Sequence, residues 1–139
     1  MVGLQGSGKS TWVAEHLART HAVVSKDHWP RARRREARQQ RVVAELLAAG
    51  RSVVVDNTNP SVEERAPLVA AARAAGVPVR AVWLDTPPEL SGARNEARPA
   101  PSRVPPVGVF ATRARFVPPS GEEGFDRVDV VRQEPGPTL

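Results

Sequence analysis

The chain has 139 residues, enough for one domain with a real core. Zero cysteines exclude disulfides and thiolate metal sites, and no apolar run approaches the ~20 residues of a membrane span or forms a signal-peptide pattern at the start, so a cytoplasmic protein is expected. The net charge of +5 comes almost wholly from arginine, since Lys9 and Lys26 are the only lysines; phosphate-rich partners suit this surface, as does simple GC-rich coding, and the lack of tyrosine argues against a broad base-stacking platform.

The first segment, Gly3-Leu4-Gln5-Gly6-Ser7-Gly8-Lys9-Ser10 with Thr11 after it, fits G-x-x-x-x-G-K-[ST] at every fixed position. Gly3, Gly6 and Gly8 let the backbone fold around an anion with its N–H groups, including that of Ser7, turned inward. Lys9 is placed to reach β- and γ-phosphates, the Ser10 hydroxyl is the expected Mg²⁺ ligand, and a helix starting near Ser10 and Thr11 adds the positive end of its dipole. Only Met1 and Val2 precede Gly3, so the strand expected ahead of such a loop is nearly absent. The expectation is that the natural start lies upstream, and that without those residues neighbouring backbone groups go unpaired around a slot in the core.

Residues 10–20 read as a helix with Trp12, Val13 and Leu17 on its inner side. A short apolar strand over 22–25 follows, with Lys26, Asp27 and His28 just past its carboxyl end, where open α/β sheets put their ligands. Asp27 is either a general base for an incoming hydroxyl or the cap of the next helix. The arginine-rich run from Arg31 to Arg41 opens a helix that turns amphipathic and stops at Gly50; Arg31 and Arg34, nearest Asp27, either hold acceptor phosphates or form a solvated face.

The β-branched strand over 52–55 ends at Asp56-Asn57-Thr58-Asn59-Pro60. Asp56 is placed to hold a Mg²⁺-bound water or an active-site arginine, while Asn57 and Asn59 either contact substrate or shape a turn. A helix over 62–75 is predicted to turn Leu68, Val69, Ala72 and Arg73 inward and to end at Gly76. A strand over 77–84 then leads to a helix from Pro87-Pro88. On it Arg94 and Arg98, four apart, share a face as a lid over phosphates or as ordinary surface arginines. Residues 99–106 read as a mobile loop, 107–116 as a short helix and 126–132 as an edge strand; 133–139 read as a disordered tail. Four or five strands alternating with helices imply an α/β three-layer sandwich around a parallel sheet, its first strand truncated.

Taken together, the phosphate loop, Lys26-Asp27, the D-N-T-N-P run at 56–60, A-R-A-A-G-V-P at 72–78, R-N-x-x-R at 94–98, Val104-Pro105 and E-G-F at 123–125 resemble the kinase domain of polynucleotide 5′-hydroxyl kinases. The resemblance runs from Gly3 to about Val131 and makes 1–132 a P-loop kinase domain. It implies transfer of the ATP γ-phosphoryl group to the 5′-hydroxyl end of DNA or RNA with Mg²⁺. By motif, Asp27 takes the general-base role, Lys9 and Ser10 hold phosphates and metal, and Arg94 and Arg98 form the lid. Lys26 departs from the family's usual arginine, and lysine lacks the bidentate fork for phosphate. The rival readings are a small-molecule or sugar-nucleotide kinase and a nucleotide-hydrolysing switch with no phosphoryl acceptor.

Overall fold

A computed structural model describes residues 1–132; the predicted disordered tail lies outside the described residues. The chain order is α1 (Lys9–His16), β1 (Ala22–Val24), α2 (Arg35–Ala48), β2 (Val53–Val55), α3 (Val62–Ala75), β3 (Arg80–Asp85), α4 (Pro88–Glu96), α5 (Pro106–Arg115) and β4 (Arg127–Arg132). Short 3₁₀ turns lie at Lys26–His28, Ala100–Ser102 and Gly121–Glu123.

All strand pairing is parallel, as the alternation of strands and helices predicts. β1 pairs with β2, Ala22 opposite Val53, and β3 pairs with β4, Arg80 opposite Arg127. The two pairs are spanned at one end by the first two residues. The Met1 amine donates to Val55 O at 2.9 Å, and Val2 bridges Trp83, donating to Val82 O at 2.8 Å and accepting from Leu84 N at 2.9 Å. The expected slot is present beyond them, between β2 and β3. Met1, Val13, Val54, Val82 and Leu84 form the core cluster, with Trp12, Leu17, Val23 and Val131 packed on it.

Local chemistry explains the boundaries. α3 spans the predicted residues because Ser61 and Glu64 form a reciprocal capping box and Gly76 ends the helix at φ 69°. Its inner face differs from the expectation: Val69 and Ala72 are buried, but the buried arginine is Arg65 and not Arg73. α2 begins four residues later than Arg31, after Arg34 adopts a left-handed φ of 56°. α1 ends at His16, short of the predicted 20, and β3 starts after Pro78. The 99–106 segment, predicted as a mobile loop, carries the 3₁₀ turn at Ala100–Ser102, and the Asn95 side chain donates to Val104 O at 2.8 Å and accepts from Val104 N at 3.0 Å.

Candidate functional site

The phosphate loop connects Val2 to α1. Gly8 stands at the N-cap of α1 with φ 97°, a conformation that a side chain resists. Gly6 has φ 79°, and a Cβ there would collide with the Ser91 carbonyl, so α4 backbone lies directly against the loop. Thr86, at the end of β3, donates to Ser7 O at 2.7 Å, and Gln5 donates to Thr112 of α5 at 2.8 Å. The loop is thereby held from three sides in a shape its own sequence only permits.

Lys9 is 9% exposed, and its ammonium donates to Gly3 O at 3.1 Å and Leu4 O at 3.0 Å. Burial lowers its pKa to about 8; Asp56 raises it, Arg98 lowers it and Asp27 raises it. Each of those three charges therefore lies within electrostatic reach of Lys9, although they come from the exits of β1 and β2 and from beyond the end of α4. Ser10 donates to Asp56 Oδ2 at 2.8 Å, while Asp56 Oδ1 is buried with no hydrogen-bond partner among the described residues. A serine hydroxyl beside a carboxylate oxygen with a free lone pair is a hard-oxygen donor set, and it suits Mg²⁺, which takes one or two protein ligands and keeps phosphate and water for the rest.

Asp27 is exposed in the turn after β1, with its N–H donating to Ser25 Oγ at 3.2 Å. Ser25, not Asp27, therefore caps that turn, and the Asp27 carboxylate is not used as the cap. Lys26 forms an ion pair with Glu36 of α2, and Arg31, Arg34 and Thr11 are exposed.

Asn57 and Asn59 do not stand free: internal bonds engage their amides, in keeping with the turn-shaping alternative. Asn57 accepts from Lys26 N at 3.0 Å and donates to the buried Gln39 at 2.7 Å, while Asn59, left-handed at φ 45°, donates to Met1 O at 2.8 Å. They fasten the β1 and β2 exits to each other and to the chain start. Contrary to expectation, Arg94 and Arg98 do not share a helix face: α4 ends at Glu96, and Arg98 lies past its C-cap Ala97, half-buried with its N–H on Asn95 O at 3.2 Å. The charge of Arg98 reaches Lys9, and Arg94 is exposed on α4.

Gln39, Thr86 and the Arg65–Glu123 pair were not among the candidates in the sequence, and Asn95 entered only within the R-N-x-x-R motif. Thr86 carried a usable signal, being polar at a strand's carboxyl end, as did Ser91 and Asn95, small polar residues four apart on one helix face. Gln39 sits within a charged run and carried none.

Solved structures share this fold. A sugar kinase from Janibacter sp. HTCC2649, crystallised without ligand, superposes with a TM-score of 0.69 at 18% identity over 94% of this chain and 82% of its own. The Mycobacterium tuberculosis APS kinase in complex with AMPPNP and APS gives 0.56 at 21% identity, over 93% and 84%. In sequence, the bifunctional polynucleotide phosphatase/kinase of Schizosaccharomyces pombe is 29% identical over 135 residues, which is 94% of this chain and 32% of that protein. The chain thus spans about a third of the length of the curated relatives it matches. The family model for the AAA domain designated AAA_33 matches residues 1–119, most of the chain, phosphate loop and both acidic strand ends included, and the chain belongs to that family.

Proposed function

We propose that residues 1–132 form a P-loop phosphotransferase that moves the γ-phosphoryl group of ATP, with Mg²⁺, to a hydroxyl group, the 5′-hydroxyl end of DNA or RNA. The observation that carries this reading is the phosphate loop with Ser10 bonded to Asp56 at 2.8 Å while a second carboxylate, Asp27, stands exposed past β1 and unused as a cap. A hydrolysing switch needs no second carboxylate beside the lysine, whereas transfer to an alcohol needs a proton acceptor there. The name of the fission-yeast relative supports a polynucleotide acceptor.

In this mechanism the loop amides and Lys9 bind the β- and γ-phosphates, with the Lys9 ammonium exchanging the carbonyls of Gly3 and Leu4 for phosphate oxygens. Ser10 and Asp56 would hold Mg²⁺, which when bound neutralises the charge developing on the phosphates. Asp27 accepts the proton of the acceptor hydroxyl as that oxygen bonds to phosphorus and the bond to the β-phosphate oxygen breaks, releasing ADP. Arg98, past the end of α4, and Arg94, on its exposed surface, offset equatorial charge in the transition state. Arg31, Arg34 and Lys26 flank Asp27 with positive charge for acceptor phosphates. Among the described residues no helix is long and apolar enough to cross a membrane. A cytoplasmic setting, with ATP at hand, suits the reaction.

Labelled ATP incubated with 5′-hydroxyl oligonucleotides, beside a panel of nucleosides and sugars, tests the reading. Label on the oligonucleotide 5′ end is the expected result. Label only in the small-molecule panel would overturn the acceptor class, and release of phosphate without any labelled acceptor would favour the switch.

A further inference from the structure

The turn that carries Asp27 is anchored by a file of side-chain hydrogen bonds. Asp27 N donates to Ser25 Oγ at 3.2 Å, the Ser25 hydroxyl donates to Asn57 Oδ1 at 3.3 Å, and Asn57 Nδ2 donates to Gln39 Oε1 at 2.7 Å. The backbone fixes its direction. Lys26 N, which can only donate, also meets Asn57 Oδ1 at 3.0 Å, so the amide nitrogen of Asn57 faces Gln39 and Gln39 presents its oxygen. Every bond runs the same way, the arrangement in which hydrogen bonds polarise and strengthen one another.

The file leads from the surface to the interior. Asp27 is exposed and Asn57 half-buried, while Ser25 and Gln39 are 5% and 2% exposed. Two further bonds, His28 N to Ser25 O at 3.1 Å and Trp29 N to Lys26 O at 3.0 Å, shape the turn without tying it to β2. Past the bond from Asp56 N to Val24 O at 2.8 Å, the Asn57 side chain takes over from the backbone in joining the exits of β1 and β2. Asn57 directly follows Asp56, whose carboxylate accepts the Ser10 hydroxyl at 2.8 Å. Two adjacent residues thus hold the phosphate loop and, through Ser25, the backbone of Asp27.

We infer that Ser25, backed by Asn57 and Gln39, is a positioning residue for phosphoryl transfer, fixing where the Asp27 carboxylate stands relative to Ser10 and Asp56. The inference rests on the reading of Asp27 as the proton acceptor. A hydroxyl suits this point because one atom both accepts from Asp27 N and donates to Asn57. Ser25 caps the turn in place of Asp27, whose carboxylate stays available to the acceptor. Without that hydroxyl the turn loses its link to Asn57 except through Lys26 N. A displacement of about 1 Å at a reacting group costs up to about a hundredfold in rate. Nucleotide binding escapes this loss, because Lys9 and Ser7 are held by other bonds, to Gly3, Leu4 and Thr86.

The test compares wild type, Ser25→Ala, Ser25→Thr, Asp27→Asn and the double variant Ser25→Ala with Asp27→Asn. Each is measured for ATP affinity by equilibrium titration and for kcat of label transfer from ATP to a saturating 5′-hydroxyl oligonucleotide. Ser25→Ala should lower kcat about tenfold or more with ATP affinity within about twofold of wild type, and Ser25→Thr, which restores the hydroxyl, should recover most of the rate. In the Asp27→Asn background, Ser25→Ala should cost nothing further, because it acts through the carboxylate already removed. Four outcomes would overturn the inference alone: an unchanged kcat in Ser25→Ala, ATP affinity lost along with it, Ser25→Thr no better than Ser25→Ala, or an equal additional loss in the Asp27→Asn background. Wild type without transfer, or Asp27→Asn as fast as wild type, would instead sink the parent reading and this inference with it.

Discussion

Glu123→Ala should be among the most destabilising single changes outside the aliphatic core, and the reason lies in what it leaves behind. Arg65 is 1% exposed, and its guanidinium makes three bonds, to Glu123 Oε1 at 2.8 Å, to Glu123 Oε2 at 3.0 Å and to Asn59 O at 2.9 Å. Removing the carboxylate deletes two charge-assisted bonds and strands a buried cation on one carbonyl. Breaking such a pair from one side costs about 3–5 kcal/mol, a third or more of the stability of an ordinary domain. In urea, with a slope of roughly 2 kcal/mol per molar, the midpoint should fall by about 2 M with the slope unchanged. The double variant Arg65→Met with Glu123→Leu removes both charges and should recover most of that loss, because the pair's desolvation largely offsets its attraction. A loss below about 1 kcal/mol for Glu123→Ala, or a double variant no better than the single, would refute the account. The consequence for the site is direct, since Arg65 holds the carbonyl of Asn59 three residues beyond Asp56.

Asp27→Asn should retain ATP binding, read by equilibrium titration, and lose phosphoryl transfer by about 10²–10⁴-fold, because the amide cannot accept the acceptor's proton. Asn57→Ala should destabilise by roughly 1–3 kcal/mol in thermal or urea unfolding, since it leaves Gln39, 2% exposed, without its 2.7 Å partner. Between pH 5 and pH 8 stability should rise with pH: the Met1 amine, lowered from 8.0 to about 5 in the fold, binds fewer protons folded than unfolded across that window. The gain is of order 4 kcal/mol, and acetylating the amine should flatten that part of the pH profile. Stability that falls with pH over this window, or an unchanged slope after acetylation, would count against the buried amine.

The parts of the fold that were legible are those with a local cause. α3 was bounded correctly because a capping box and a glycine mark both its ends, and β1, β2 and the site ends that follow them were readable because β-branched runs break sharply into polar residues. The phosphate loop was readable because glycines at fixed spacing have few other uses. What was not legible depends on partners distant in sequence. Nothing near Asn57 announces that Gln39 will take its amide, and nothing near Arg65 announces Glu123, 58 residues away. The misplacement of Arg98 has the same origin: i,i+4 spacing predicts a shared face only if the helix continues, and the Asn95 side chain instead bonds Val104 as the chain turns away after Glu96.

This division bears on how the site works. Asp27 and Asp56 stand at the ends of β1 and β2, whereas Thr86 and Arg98 follow β3, and among the described residues the strands of the two halves are bridged only through Met1, bonded to β2, and Val2, paired with β3. On the proposed reading the proton acceptor and metal ligand are carried on one half, and Arg98 and the threonine that braces Ser7 on the other. The links between them include Met1 to Val55, Val2 to Val82 and Leu84, Gly3 to Thr58 and Ser10 to Asp56, beside the Arg65–Glu123 pair and the shared core of Val54 with Val82 and Leu84. Reactions that depend on placing donor and acceptor within a near-attack distance lose rate steeply when such a frame gives by even an ångström. Whatever stiffens the union of β2 with β3 should therefore raise the rate of the proposed transfer more than it raises nucleotide affinity, because the phosphate loop and Lys9 lie on one continuous segment while Asp27 and Arg98 do not.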